Sequence, residues 1–203
     1  MTKGATRMEL RRIRDRLATA RRGHKMLKDK SDEAVRRLVL LERRRKALAE
    51  RVQTALPAAL SAFALAGAEC GEAEFAESLL MPARPVRVTC ASGRILSVAV
   101  PELKLERGEG DDLPYGFASM PAEADLGAKL LSELLPVLLE LAQVSCACRL
   151  LEEEIRRTKR RVNALEYVMI PESEREAHAV LMKLEENERA ASARLMKLKG
   201  SER

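Results

Sequence analysis

The chain has 203 residues, a net charge of +6, 46% hydrophobic residues, 2% aromatics and no Trp. So little aromatic area argues against one large compact core, and a chain dominated by Leu, Ala, Glu, Lys and Arg favours long helices. The charge is uneven: residues 1–52 hold 18 Lys/Arg against 7 Asp/Glu, residues 53–127 hold 5 against 11, and residues 128–203 hold 14 against 13. The basic excess is therefore N-terminal and suits phosphates, anionic lipid or acidic protein surfaces.

After a short polar lead, a heptad seam opens near Arg7. It runs Leu10, Ile13, Leu17, Ala20, His24, Leu27, Ser31, Ala34, Leu38, Leu41, Arg45, Leu48, Val52, Ala55, Ala59, Ala62 and Ala66. At 1.5 Å per residue this predicts a helix about 85 Å long, which suits a coiled coil better than a compact domain. Gly67, Gly71 and nearby acids are expected to end it. A middle insert over 67–120 follows. There Val86, Val88 and Cys90 alternate with polar residues, Ala91-Ser92-Gly93 reads as a turn, the run from Ile95 to Val100 is β-rich, and Leu103 and Leu105 alternate after Pro101. These features predict a small β-hairpin near 86–105. Residues 107–112 read as an acidic loop, and Tyr115-Gly116-Phe117, Ser119 and Pro121 lead into the next helix.

The second seam is Leu130, Leu134, Val137, Leu141, Val144, Cys148, Leu151, Ile155, Thr158, Val162, Leu165 and Met169. Pro171 removes a backbone donor and predicts a kink there, after which the pattern resumes through Ala177, Val180, Leu184, Asn187, Ala191, Leu195 and Leu198. Two seams of matching length around a compact insert predict a mainly α fold. It is a long antiparallel two-helix coiled coil within one chain, with a small β-hairpin insert. The arms are 1–66 and 121–199, and residue i is expected to face roughly residue 200 minus i, within a few positions. Residues 53–68 carry no charge, and 130–151 carry only Glu133, Glu140 and Arg149. A two-helix seam cannot bury helices that are apolar nearly all round, so a third layer or a partner is expected there. Pro57, Pro136 and Glu140 argue against insertion of these runs into a membrane.

The chemistry of catalysis is not evident. The glycines fit neither dinucleotide nor Walker spacing. His24 and His178 are the only histidines, and Cys70, Cys90, Cys146 and Cys148 match no zinc or thioredoxin pattern. No cofactor or metal is expected. The N-terminus opens no apolar signal region, which points to a cytoplasmic chain.

Several stretches carry a resemblance. Thr6-Arg7-Met8-Glu9-Leu10, Arg22-Gly23-His24-Lys25-Met26-Leu27-Lys28-Asp29-Lys30 and the segment from Thr158 to Ile170-Pro171 do so in the arms. Glu185-Glu186-Asn187-Glu188-Arg189 and Arg194-Leu195-Met196-Lys197 extend it, with Val100-Pro101 and Tyr115-Gly116 in the middle. The chain resembles the D subunit of the V-type/A-type rotary ATPases over nearly its whole length, with a short tail after Lys199 as the departure. The resemblance implies a non-catalytic central rotor shaft that couples ATP synthesis or hydrolysis to H+ or Na+ transport. It implies a monomer within the complex, on the cytoplasmic side and peripheral to the membrane. The implied partners are the catalytic A and B subunits, the F subunit and the funnel subunit (C, or d).

On that basis Arg7, Arg11, Arg21, Arg22, Lys25, Lys28 and Arg194 are candidate bearing contacts with the A/B hexamer. Leu60, Phe63, Leu65, Leu135, Leu138 and Leu141 are candidate docking residues for F or the funnel subunit, and Pro171 is the kink. The alternatives from composition alone are a basic coiled-coil protein that binds nucleic acid, or a scaffold. The lack of stacking aromatics and of a groove-reading motif weighs against nucleic acid.

Overall fold

The computed structural model describes residues 6–80, 84–110, 113, 115 and 120–201, apart from the side chains of Glu72 and residues 198–201. Asp111 and Asp112 of the expected acidic loop, Gly116, Phe117 and Ser119 lie outside these residues. The elements are α1 (Arg7–Cys70), α2 (Glu72–Ser78), β1 (Val86–Ile95), β2 (Val98–Arg107), α3 (Ala122–Ala164), a π-helical turn (Leu165–Met169) and α4 (Ile170–Ser201). The fold is mainly α with a two-stranded antiparallel hairpin.

Thr6 starts α1. Its hydroxyl accepts the Glu9 N–H at 3.2 Å and its carbonyl accepts the Leu10 N–H, which satisfies donors that the first helical turn leaves open. Gly67 does not stop the helix as expected; it is buried inside it, with the Phe75 ring in ordinary contact distance of a hypothetical Cβ. The break comes at Gly71, whose φ of 90° is open to glycine and costly for other residues. Pro57 and Pro136 lie inside α1 and α3, both on exposed surface.

The chain divides into two compact units, Met1–Glu33 with Ile155–Arg203, and Ala34–Glu154. In the first, the start of α1 pairs antiparallel with the end of α3, the π turn and α4. Leu10, Ile13, Ala20 and Ile155 are buried there, and so are the polar Ser31, Thr158 and Ser173. Ion pairs cross the seam: Arg7 meets Glu188 at 2.6 Å, Arg16 meets Glu176 at 3.6 Å and Arg21 meets Glu174 at 2.7 Å. Simple symmetry of the two arms would set residue 193 opposite Arg7, so the register is displaced. Beyond Leu184 the predicted seam is not buried: every residue from Glu185 to Lys197 is exposed, Asn187, Ala191 and Leu195 among them.

In the second unit α1 contributes Ala34, Leu48, Ala59, Ala62 and Ala66, and α3 contributes Ala124, Leu134, Val144, Ala147, Cys148 and Leu151. The alanines bring the two backbones close. At the level of Phe63, α3 presents Gly127, where a Cβ would stand 3.0 Å from the phenyl ring. Leu48, Val144 and Cys148 form a cluster extended by Leu38, Leu41, Val137 and Leu141.

The hairpin belongs to this unit. Val86 pairs with Arg107 and Ile95 with Val98, so the strands run through the expected turn at Ala91-Ser92-Gly93. The chain reverses instead at Leu96-Ser97, with Leu96 at φ 55°. β2 is fastened to α3: the Leu103 N–H donates to Gln143 Oε1 at 3.0 Å, and Arg107 donates to the Ser132 carbonyl at 2.6 Å.

Candidate partner interfaces

Charge dominates the surface of the first unit, where Met8, Met26, Met182, Leu195 and Met196 are also exposed. Its seam is narrow, and Lys and Arg side chains stand on the outside. Arg7 and Arg21 are tied to Glu188 and Glu174. Hydrogen bonding and charge from Glu188 push the Arg7 guanidinium above its usual range. Arg11, Arg22, Lys25, Lys28 and Arg194 are exposed, and among the described residues they form no ion pair. The sequence candidates thus divide into two groups: two arginines that lock the helices together, and five cations that project outward. Exposed pairs of the Arg7 kind contribute little stability, because water and salt screen them.

The second unit is not finished. Leu60 is 55% exposed and Leu65 is 58% exposed on α1. Leu126 and Leu131 are exposed on α3. The Phe63–Gly127 approach sets the register, so Leu60 lies near the level of Leu131 and Leu65 near that of Leu126. Within the continuous helical stretch Ala122–Lys197, one 18-residue window is apolar enough to cross a bilayer by length and composition, and 28% of it is buried inside the chain. A helix that waits for a protein partner meets the same test.

The remaining docking candidates sit deeper. Phe63 is half-buried and meets Phe75 with ring centroids 5.9 Å apart. Leu135 and Leu138 are half-buried, and Leu141 packs on the Leu48 cluster. Sequence reasoning missed Val35, Val39, Leu40, Leu126 and Leu131, all exposed. The signal was available: each is an apolar residue off the seam, where a solvated helix would carry polar groups.

A buried polar contact sits beside this surface. Cys148 is 3% exposed, and burial pushes its thiol up to about 11, helped by a hydrogen bond to the Glu42 carboxylate. Glu42 itself is held below the usual carboxylate range, chiefly by the Arg45 guanidinium, which donates to it at 2.9 Å. A thiol so disfavoured as thiolate is a packing group rather than a nucleophile. Among the described residues no three His, Cys, Asp or Glu are placed to hold a metal ion.

Paired helices with an apolar surface left open define an assembly subunit, one built to be covered by other chains. A family model described as the ATP synthase D subunit matches residues 9–200. The D subunit of the V-type ATP synthase of Thermoanaerobacter sp. (strain X514) is 44% identical over 181 residues, covering 89% of this chain and 87% of that one. Those of Acetivibrio thermocellus and Enterococcus faecalis are 44% and 43% identical over 183 residues each, covering 89% of this chain and 82% and 87% of theirs. The chain belongs to the ATP synthase D-subunit family. It is accordingly a non-catalytic subunit of a V-type rotary ATPase and works as part of that complex.

Proposed function

We propose that this chain is the central shaft of its complex. It transmits torque between the membrane ion-translocating ring and the catalytic A/B hexamer, and so couples ATP synthesis or hydrolysis to H+ or Na+ transport. Its place is in the central stalk, on the cytoplasmic side and peripheral to the membrane. The observation that carries the reading is the contrast in surface between the two units. Hydrated, projecting cations suit contacts that must form and release as the shaft turns, and Arg11, Arg22, Lys25, Lys28 and Arg194 supply them. An apolar surface left open suits a fixed dock, and Leu60, Leu65, Leu126 and Leu131 supply it. The F subunit and the funnel subunit are the partners for the dock, and the A and B subunits for the cations. In this reading 1–66 and 121–199 are the arms of the shaft, 67–120 its insert and Pro171 its kink.

Each half has its own test. Changing Leu60, Leu65 and Leu131 together to Asp leaves the isolated chain folded, because all three are exposed, and lowers F binding at least about a hundredfold. Unaltered F binding in a pull-down with purified F sinks the docking assignment. Changing Arg11, Arg22, Lys25 and Lys28 together to Glu leaves the chain folded and uncouples ion pumping from ATP hydrolysis in the reconstituted complex. Intact coupling would remove the bearing.

A further inference from the structure

The seam on the C-terminal side of the first unit changes register at one place. Ile155, Thr158, Val162 and Leu165 follow alternating steps of three and four, and so do Ile170, Ser173, Ala177, Val180 and Leu184. Between Leu165 and Ile170 the step is five. There the backbone is π-helical, and the Ile170 N–H donates to the carbonyl of Leu165, five residues back. Met169, which the three-four rule would turn inward, is 45% exposed, and Ile170 is half-buried in its stead. Removing one residue from 166–169 would make every step from Leu151 to Leu184 alternate three and four. The π turn therefore carries one residue inserted into an otherwise unbroken heptad seam.

The inserted residue can be seated in two ways. Leu165 and Ser173 are eight residues apart, one more than a heptad. The structure divides the eight as five and three, with Ile170 in the seam; four and four would put Met169 there, with the widened turn one step further on. Met and Ile are apolar and close in volume, so either fills the position. The facing side leaves room for the exchange. A groove of about 480 Å3 is lined by Asp15, Arg16, Thr19, Ala20 and Gly23 across from Leu165 and Met169, and a Cβ added to Gly23 would meet nothing within 4 Å. His24 and Glu166, 3.2 Å apart, hold the N-terminal side of the turn to α1.

We propose that residues 165–173 are a torsion joint with two seated states, in which Ile170 or Met169 alternately fills the seam. The exchange turns the short segment between the two seats by about 100°, one residue's rotation, while Leu165 and Ser173 stay in place. Its role, to absorb angular mismatch along a loaded shaft, rests on the shaft reading.

The test is deletion of Val168, an exposed residue of the turn, in the full chain. Amide hydrogen exchange over 165–173 slows about tenfold or more, because the seam then keeps one register on both sides of Pro171, which still lacks its own N–H. Deletion of the still more exposed Tyr167 does the same and guards against a folding defect peculiar to one variant. Pro171→Ala leaves exchange fast, since the surplus residue and not the proline makes the joint. In the complex assembled with A, B and F, the Val168 deletion narrows the angular fluctuation of a stalled, bead-labelled rotor. Unchanged exchange in both deletions, or slowing by Pro171→Ala alone, overturns the joint. Slowed exchange with unchanged angular fluctuation overturns its torsional role. Failure of the unaltered chain to assemble with A and B removes the shaft reading and leaves the exchange result standing.

Discussion

The two units use one pairing geometry with two chemistries. The first buries Ser31, Thr158 and Ser173 among its apolar seam residues and ties its helices with Arg7–Glu188, Arg16–Glu176 and Arg21–Glu174. The second buries alanines, leucines and Cys148, carries Arg44 on Glu140 at 2.8 Å, and leaves leucines outside. Short polar groups in a seam set partner and level at little gain in stability, whereas apolar seams stabilise and do not discriminate. The lesson is that a helical pair can be complete in itself or can be half of an interface, and the residues flanking the seam decide which.

The largest expected effect separates an apolar core position from a polar one. Leu151→Ala in the second unit, at a site 1% exposed, is expected to cost about 2–5 kcal/mol of stability, read from thermal or denaturant unfolding. Thr158→Val in the first unit swaps a buried hydroxyl for a methyl of like shape and is expected to stay within about 1 kcal/mol of the unaltered chain. Equal losses would dissolve the contrast.

A smaller effect is alkaline. The Cys148 thiol titrates near 11 in the fold and near 8.5 when unfolded, so the folded form holds its proton longer. Its stabilising contribution is whole below the unfolded value and declines as pH rises between the two. Cys148→Ala should therefore narrow its stability deficit against the unaltered chain as pH is raised from neutral toward 11 in parallel melts. Glu42 works in the opposite sense: its folded value is lowered, so its contribution is present above about 4.3 and fades as pH falls through the lower folded value. Glu42→Gln should lose that acid-side slope. The smallest effect belongs to the first unit. Arg7→Ala is expected to move the melting temperature least of all, and less still in high salt, because its side chain is 84% exposed.

The paired helices and the hairpin were legible in the sequence because period and turn chemistry agree there. The seam that opens near Arg7 marks the start of α1, and the alternation from Val86 marks β1. The misplacements have separate physical reasons. Gly67 looks like a helix stop, but its missing side chain serves packing, and the break falls where Gly71, unlike Gly67, takes a positive φ. Ser92-Gly93 looks like a turn. Gly93 instead lies opposite Val100 within the ladder, where a Cβ would collide with the Glu102 side chain. The real reversal places Leu96 at positive φ, for which a leucine gives no warning. Continuing one register puts Met169 in the seam, and the single surplus residue becomes visible only where the backbone widens. At the candidate dock, Leu60 and Leu65 stand outside as leucines beyond a seam do. Phe63 does not, because the neighbour that covers it, Phe75, comes from α2, whose return onto α1 is not encoded in the seam.

With no Trp and two Tyr, the chain carries its own optical labels, one in each unit. Tyr167 stands on the π turn with 71% of its surface in water. Tyr115 is half-buried in the second unit, and burial beside the Asp125 carboxylate pushes its phenol up to about 12. The tyrosine absorption and emission of the native chain thus come from two dissimilar phenols. With Tyr167→Phe in place, the remaining emission reports on the second unit alone, so a partner that seats there can be followed without an added dye.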